Sequence, residues 1–275
     1  MTPTVKTVAT GLDHPEGVAL GLDGRLYAGG EAGQIYAIGL DGEVAEVGTT
    51  GGFIFGVTLD GAGDVFACDF GGAAITRVGA DGTTEVVSTG TPSRPLRVPN
   101  FAAFDDGGNL FITDSGGWGA DDGTIFRLGP DGVTVEWTDA VPAFPNGCCM
   151  TATGDALLVV ESRARRVVQV VIDADGSAGA VTTVVELPGS QPDGIALAAD
   201  GTMFVGCYRP DRVWRIAAGG EPEVFLDDPD GVTLNQPANV AFFGPGLDRL
   251  AVSSLGGWSI VEVDPGTPGL PLRYP

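Results

Sequence analysis

The chain has 275 residues, 43% of them apolar, with 45 glycines and 19 prolines, which is enough for a sizeable core and too apolar for a disordered chain. Its formal charge of −22, from 14 basic and 36 acidic residues, repels nucleic acid and anionic lipid and removes both from the expected partners. No run approaches the ~20 apolar residues of a membrane helix. The opening "MTPTVKTVATGL" carries no apolar run of signal-peptide length. Cys68, Cys148, Cys149 and Cys207 form no CxxC pair and lack histidine companions, so they read as reduced, buried residues of a cytoplasmic protein.

The first predicted element is a strand in "TVKTVAT" at 4–10. After it one unit recurs six times. Each begins with a short apolar strand: "EGVALG", "FGVTLD", "NFAAFD", "NGCCMT", "DGIALA" and "NVAFFG". Next come turn residues and a second strand led by Leu26, Val65, Leu110, Leu157, Met203 and Leu250, spaced by 39, 45, 47, 46 and 47 residues. A third, alternating strand follows, as in "GQIYAIGLDG" and "GTIFRLGPDG", and a weaker fourth, as in "TTEVVSTG". Four strands every ~40–50 residues predict an all-β, six-bladed β-propeller that takes up residues 1–275 as one domain, with helix nearly absent. The last unit ends in "VDPGTPGLPLRYP" without an obvious fourth strand. Residues 4–10 are therefore expected to complete that blade and close the ring, which removes an exposed strand edge.

Aligning the starts of the six inner strands brings Glu16, Phe55, Asn100, Asn146, Asp193 and Ala238 into register, separated by 39, 45, 46, 47 and 45 residues. Equivalent inner-strand positions of a propeller converge on its central channel. Four of the six carry side-chain oxygens, and no Lys, Arg or His stands among them. Buried carboxylates need a counter-charge. A divalent cation bound through oxygen by Glu16, Asn100, Asn146 and Asp193 would supply it, and such a donor set suits Ca²⁺, Mg²⁺ or Mn²⁺. A single Pro-Asn-Gly such as 145–147 reads as a turn on its own. Turns do not require register, whereas the four residues are in register.

The phrases "PEG" at 15–17, "VPNFAAFDDGGNLFITDS" at 98–115, "FPNGCCM" at 144–150, "QPDGIAL" at 191–197 and "NVAFFGPGLDRLAVSS" at 239–254 resemble the senescence-marker-protein/gluconolactonase family. These regucalcin-like proteins belong to a wider group with diisopropylfluorophosphatase and the paraoxonases. The resemblance spans nearly the whole chain. It implies a metal-dependent hydrolase of lactones or related esters, with Glu16, Asn146 and Asp193 as ligands and Asn100 as a fourth ligand or a substrate contact. It implies one divalent cation, Ca²⁺ first and Mn²⁺, Mg²⁺, Zn²⁺ or Fe²⁺ as alternatives, and a small-molecule partner with no obligate protein partner. The chain departs from the sugar-lactonase pattern at Phe101, where relatives usually carry Asp, and at Val98, where many carry Arg; Arg97 stands one position further back. His14 is the only histidine, which excludes a histidine-dyad mechanism and a serine–histidine pair. A phosphotriesterase-like hydrolase and a non-catalytic, metal-stabilised propeller are the competing readings. A strictosidine-synthase-like branch fits less well, because it lacks the metal set.

A cation with an open position polarises a carbonyl and stabilises the oxyanion of ring opening. Asp193 is the expected catalytic carboxylate, both ligand and base for water, with Asn100 beside it. Phe53, Phe55, Phe70, Phe101, Trp118, Phe144 and Tyr208 lie near the predicted mouth. Phe55, Phe101, Trp118, Tyr208 and Arg97 are the expected substrate contacts, and the aromatic character points to a substrate less polar than a sugar lactone.

Overall fold

The computed structural model describes residues 3–275. They form six sheets of four antiparallel strands, and no helix occurs among them. The six-bladed propeller expected from the repeat is the observed architecture. The innermost strands are Val18–Leu20, Ile54–Leu59, Pro99–Phe104, Pro145–Met150, Gln191–Leu197 and Pro237–Phe243, one per blade in chain order. Lys6–Thr10 pairs antiparallel with Ser259–Val263, with Thr10 opposite Ser259. The N-terminal strand thus supplies the fourth strand of the last blade and closes the ring, as expected.

One end of the propeller, here the lower end, carries Asp-Gly hairpins. In each of six turns an Asp side chain accepts the backbone N–H two residues on, as Asp23 does from Arg25 at 3.0 Å and Asp131 from Val133 at 3.1 Å. The glycine between them, such as Gly24 or Gly132, has φ near +80°, a conformation that other residues adopt at a cost. Part of the acidic composition is therefore turn chemistry. The apolar faces of neighbouring blades meet in six core clusters.

The C-terminal segment runs across this lower end and touches blade after blade. Pro268 O accepts from Ala199 N at 2.9 Å, and Leu270 N donates to Leu197 O at 2.8 Å. Arg273 Nη2 donates to Thr151 O at 2.9 Å and Ala152 O at 3.1 Å, and its other terminal nitrogen pairs with Asp106. Tyr274 Oη donates to Leu20 O at 2.7 Å, and Pro275 O accepts from Gly61 N at 2.9 Å. The segment acts as a second closure, spanning the seams between blades at the lower end.

Candidate functional site

The upper end is where the inner strands begin, and five of the six begin irregularly. Pairing with the second strand slips by one residue between Ile54 and Val57, Pro99 and Phe101, Pro145 and Cys148, Pro192 and Ile195, and Pro237 and Val240. The slipped residues include Phe55, Asn100, Asn146, Asp193 and Ala238, the aligned positions of the repeat. A bulge re-aims the side chain of the extra residue. Here it turns one residue in each of these five blades out of the lateral core. Glu16 stands two residues ahead of its strand at the same level.

The aligned residues follow one another around the axis. A Cβ on Gly17 would lie 2.5 Å from Phe55 O, one on Gly56 would lie 2.6 Å from Asn100 O, and one on Gly147 would lie 2.7 Å from Asp193 O. Only glycine permits so close an approach between blades. Two further seams are stitched by hydroxyls at equivalent second-strand positions. Thr113 Oγ1 donates to Asn146 O at 2.8 Å, and Ser253 Oγ donates to Glu16 O.

Asn100, Asn146 and Asp193 are buried and Glu16 is half-buried. Asn146 Nδ2 donates to Ser162 Oγ at 3.1 Å, which fixes the amide and leaves Oδ1 free. Asn146 Oδ1 and Asp193 Oδ1 are buried without a hydrogen-bond partner. Buried acceptors normally have one. Burial pushes the Asp193 carboxyl up to about 7, with the Asn146 amide opposing the rise. Burial, then the charge of Asp193 beside it, pushes Glu16 well above the usual carboxylate range. A buried carboxylate beside a half-buried one, with two orphaned acceptor oxygens and no basic side chain among them, fits a divalent cation; the all-oxygen set suits a hard ion.

The other expected site residues are placed as follows. Phe55 sits between Glu16 and Asn100 around the axis, its ring stacked on Phe70 with centroids 4.6 Å apart, and Phe53 meets it edge-on at 4.9 Å. Trp118 is exposed and packs edge-on against Phe144 at 4.8 Å. Tyr208 lies near both carboxylates; burial first, then Asp193 and Glu16, raise its phenol, which stays protonated at neutral pH. Arg97 is held by Asp122 at 2.8 Å. Phe101 is buried between blades with Phe111, Ile125 and Cys148 and leaves little surface for a ligand at the mouth.

Several residues of the site lie outside the aligned set: Ser162, which orients Asn146, and the seam hydroxyls Thr113 and Ser253. The last two could have been noticed as hydroxyls in otherwise apolar second strands, three residues after Leu110 and Leu250. Asn239 also lies here, its amide against Gly194, but its Oδ1 is taken by Val240 N at 2.8 Å. A second titratable group, Asp13, His14 and Glu31, sits on the rim. His14 Nδ1 lies 3.0 Å from Asp13 Oδ1 and 2.8 Å from Glu31 Oε2, and its ring abuts Trp258.

Known proteins share the fold. Residues 32–256 match the family model described as the SMP-30/Gluconolactonase/LRE-like region, and residues 4–38 match the N-terminal model of strictosidine synthase-like proteins. A pentonolactonase of Haloferax volcanii is 30% identical over 138 residues, covering 49% of this chain and 46% of that relative. A gluconolactonase from Xanthomonas campestris superposes with a TM-score of 0.81 at 20% identity, over 94% of this chain and 89% of that one. The calcium-binding protein regucalcin from Agrobacterium tumefaciens superposes with a TM-score of 0.78 at 15% identity, over 100% of this chain and 97% of that one.

Proposed function

Because the chain belongs to the SMP-30/gluconolactonase/LRE-like family, we propose that it is a cytoplasmic, divalent-cation-dependent hydrolase that opens a lactone ring. The observation that carries this reading is the pair of orphaned, buried acceptors, Asn146 Oδ1 and Asp193 Oδ1, beside a second carboxylate, the half-buried Glu16. Glu16, Asn146 and Asp193 would hold the cation, with Asn100 as a fourth oxygen donor or a contact to the substrate. Ca²⁺ is the first candidate and Mn²⁺, Mg²⁺, Zn²⁺ or Fe²⁺ the alternatives. Four buried, unbonded cysteines support a reducing compartment.

A bound divalent cation supplies electrophilic polarisation of the carbonyl and of water. The chain's own residues do the rest. Asp193, the carboxylate beside the proposed cation, takes a proton from the attacking water and returns it to the departing ring oxygen. Asn100 orients the ring. The Tyr208 hydroxyl, kept protonated by its surroundings, donates to the oxygen on which charge develops. Ser162 holds the Asn146 amide so that its oxygen, not its nitrogen, faces inward.

Chelator-treated protein assayed on a lactone panel with each cation added back tests the reading. One cation should restore hydrolysis, and Asp193→Ala should lower kcat about 10²–10⁴-fold, the usual worth of a general base. Tight cation binding with no turnover of any lactone would favour the non-catalytic propeller. Turnover of phosphotriesters alone would favour phosphoryl chemistry.

A further inference from the structure

We infer that the upper mouth selects a neutral ligand with an aliphatic or aromatic body, so that the substrate is an alkyl- or aryl-substituted lactone, not a polyhydroxylated or anionic one. The lactone head group rests on the reading above; the apolar body rests on separate observations. Phe55 occupies the same register as the four oxygen-bearing residues, between Glu16 and Asn100. Its ring lies parallel to that of Phe70, and Phe53 closes the edge. A continuous apolar wall therefore runs from the level of the carboxylates outward to Phe70, which is 39% exposed. On the loops of blades 3 and 4, Trp118 and Phe144 form a second aromatic pair. Phe144 holds a left-handed backbone, φ 62°, which is uncommon outside glycine and persists where the surroundings enforce it.

The distribution of aromatic side chains makes the same point. Among the described residues the exposed aromatics are Phe70, Trp118 and Trp258, and all three stand on loops of the upper end. The Asp-Gly hairpins of the lower end expose none. Exposed aromatic rings gathered at the end that holds the orphaned acceptors mark a place where apolar surface is covered by a ligand. A sugar needs donors and acceptors on the wall, and an anion needs a cation. Of the arginines on the upper loops, Arg94 is held by Glu136, Arg97 by Asp122 and Arg163 by Asp121, whereas Arg165 and Arg209, the latter beside Tyr208, have no acid partner among the described residues. A chain of charge −22 adds a field that disfavours carboxylates and phosphates.

The test measures two quantities on the whole protein. The first is kcat/KM for γ-lactones with side chains from none to hexyl, with gluconolactone for comparison. The second is Kd by calorimetry for 2-alkylcyclopentanones of matching chain length, which bind without being hydrolysed. Both should improve about two- to fourfold per added methylene until the wall is filled, and the slope should flatten in Phe70→Ala and in Phe55→Ala. A flat or worsening ketone series overturns the inference even if lactones are hydrolysed, as does a slope that both variants leave unchanged. Ketones that tighten with length on a protein that opens no lactone would uphold the apolar mouth and sink the hydrolase reading.

Discussion

The two ends of the channel are built from the same six strands and differ in almost everything else. At the upper end the aligned residues present Glu16, Asn100, Asn146 and Asp193, with orphaned acceptors among them. Three residues further along each strand stand Ala19, Thr58, Ala103, Cys149, Ala196 and Ala241, all of which line an apolar cavity of about 80 Å³ roofed by Leu270, Pro271 and Leu272. The residues between them, Val18, Val57, Ala102, Cys148, Ile195 and Val240, are 1–3% exposed, whereas the ring below is 4–9% exposed where it is buried. Both sets line the cavity and both, Thr58 aside, enter the core clusters between blades, the ring below being the slightly more exposed of the two. In five of the six blades one extra residue marks the buried ring of polar side chains, and three residues on stands a ring of small side chains covered from below by the C-terminal segment.

Transplanting the polar character downward should have the largest effect. Ala196→Asp places a carboxylate in the small-residue ring, where no partner waits. It should cost about 3–5 kcal/mol of stability, read by denaturant unfolding, without rescue by a divalent cation. If cation restored its stability, the two rings would not differ as described. Removing residues 270–275 opens the lower end. It should lower stability by about 2–3 kcal/mol as Leu270 and Leu272 leave their cavity, while lactone hydrolysis at 25 °C persists, because the segment touches no residue of the upper ring.

A pH experiment sharpens the contrast. Burial holds the Asp193 carboxyl at about 7, against ~3.9 in an unfolded chain. Between those values the folded protein retains a proton that the unfolded chain has lost. This group's contribution is therefore complete below about pH 4 and is lost as pH rises toward about 7. Chelated wild-type protein should lose stability relative to Asp193→Asn between pH 5 and pH 8, and added cation should abolish the difference. The smallest effect expected is at Ser162→Ala. Freeing the Asn146 amide should weaken cation binding about tenfold, as losing the support of a ligand does elsewhere, with Tm nearly unchanged in the cation-free protein.

Much of this was legible in the residues themselves. The period of the apolar phrases carried the six blades. The missing fourth strand after "WSIVEV" carried the ring closure by Lys6–Thr10. Register alone singled out the four oxygen-bearing residues. Phe101 shows where such reading stops. It follows Asn100 directly and was expected at the mouth, yet it lies in the core between blades, because only the bulged residue turns toward the axis and nothing in "VPNFAAF" announces the bulge. Ser162 escaped for another reason. It reaches Asn146 from sixteen residues away, through a loop that belongs to no repeating phrase. The C-terminal clasp likewise follows from distances between hairpins that share no pattern in the chain.

The most direct test of the central claim is anomalous diffraction from crystals soaked in Mn²⁺. The account predicts one strong peak on the propeller axis, bonded to side-chain oxygens of Glu16, Asn146 and Asp193. A peak only at the rim among Asp13, His14 and Glu31, or an axis that stays empty with those three side chains turned apart, would contradict it.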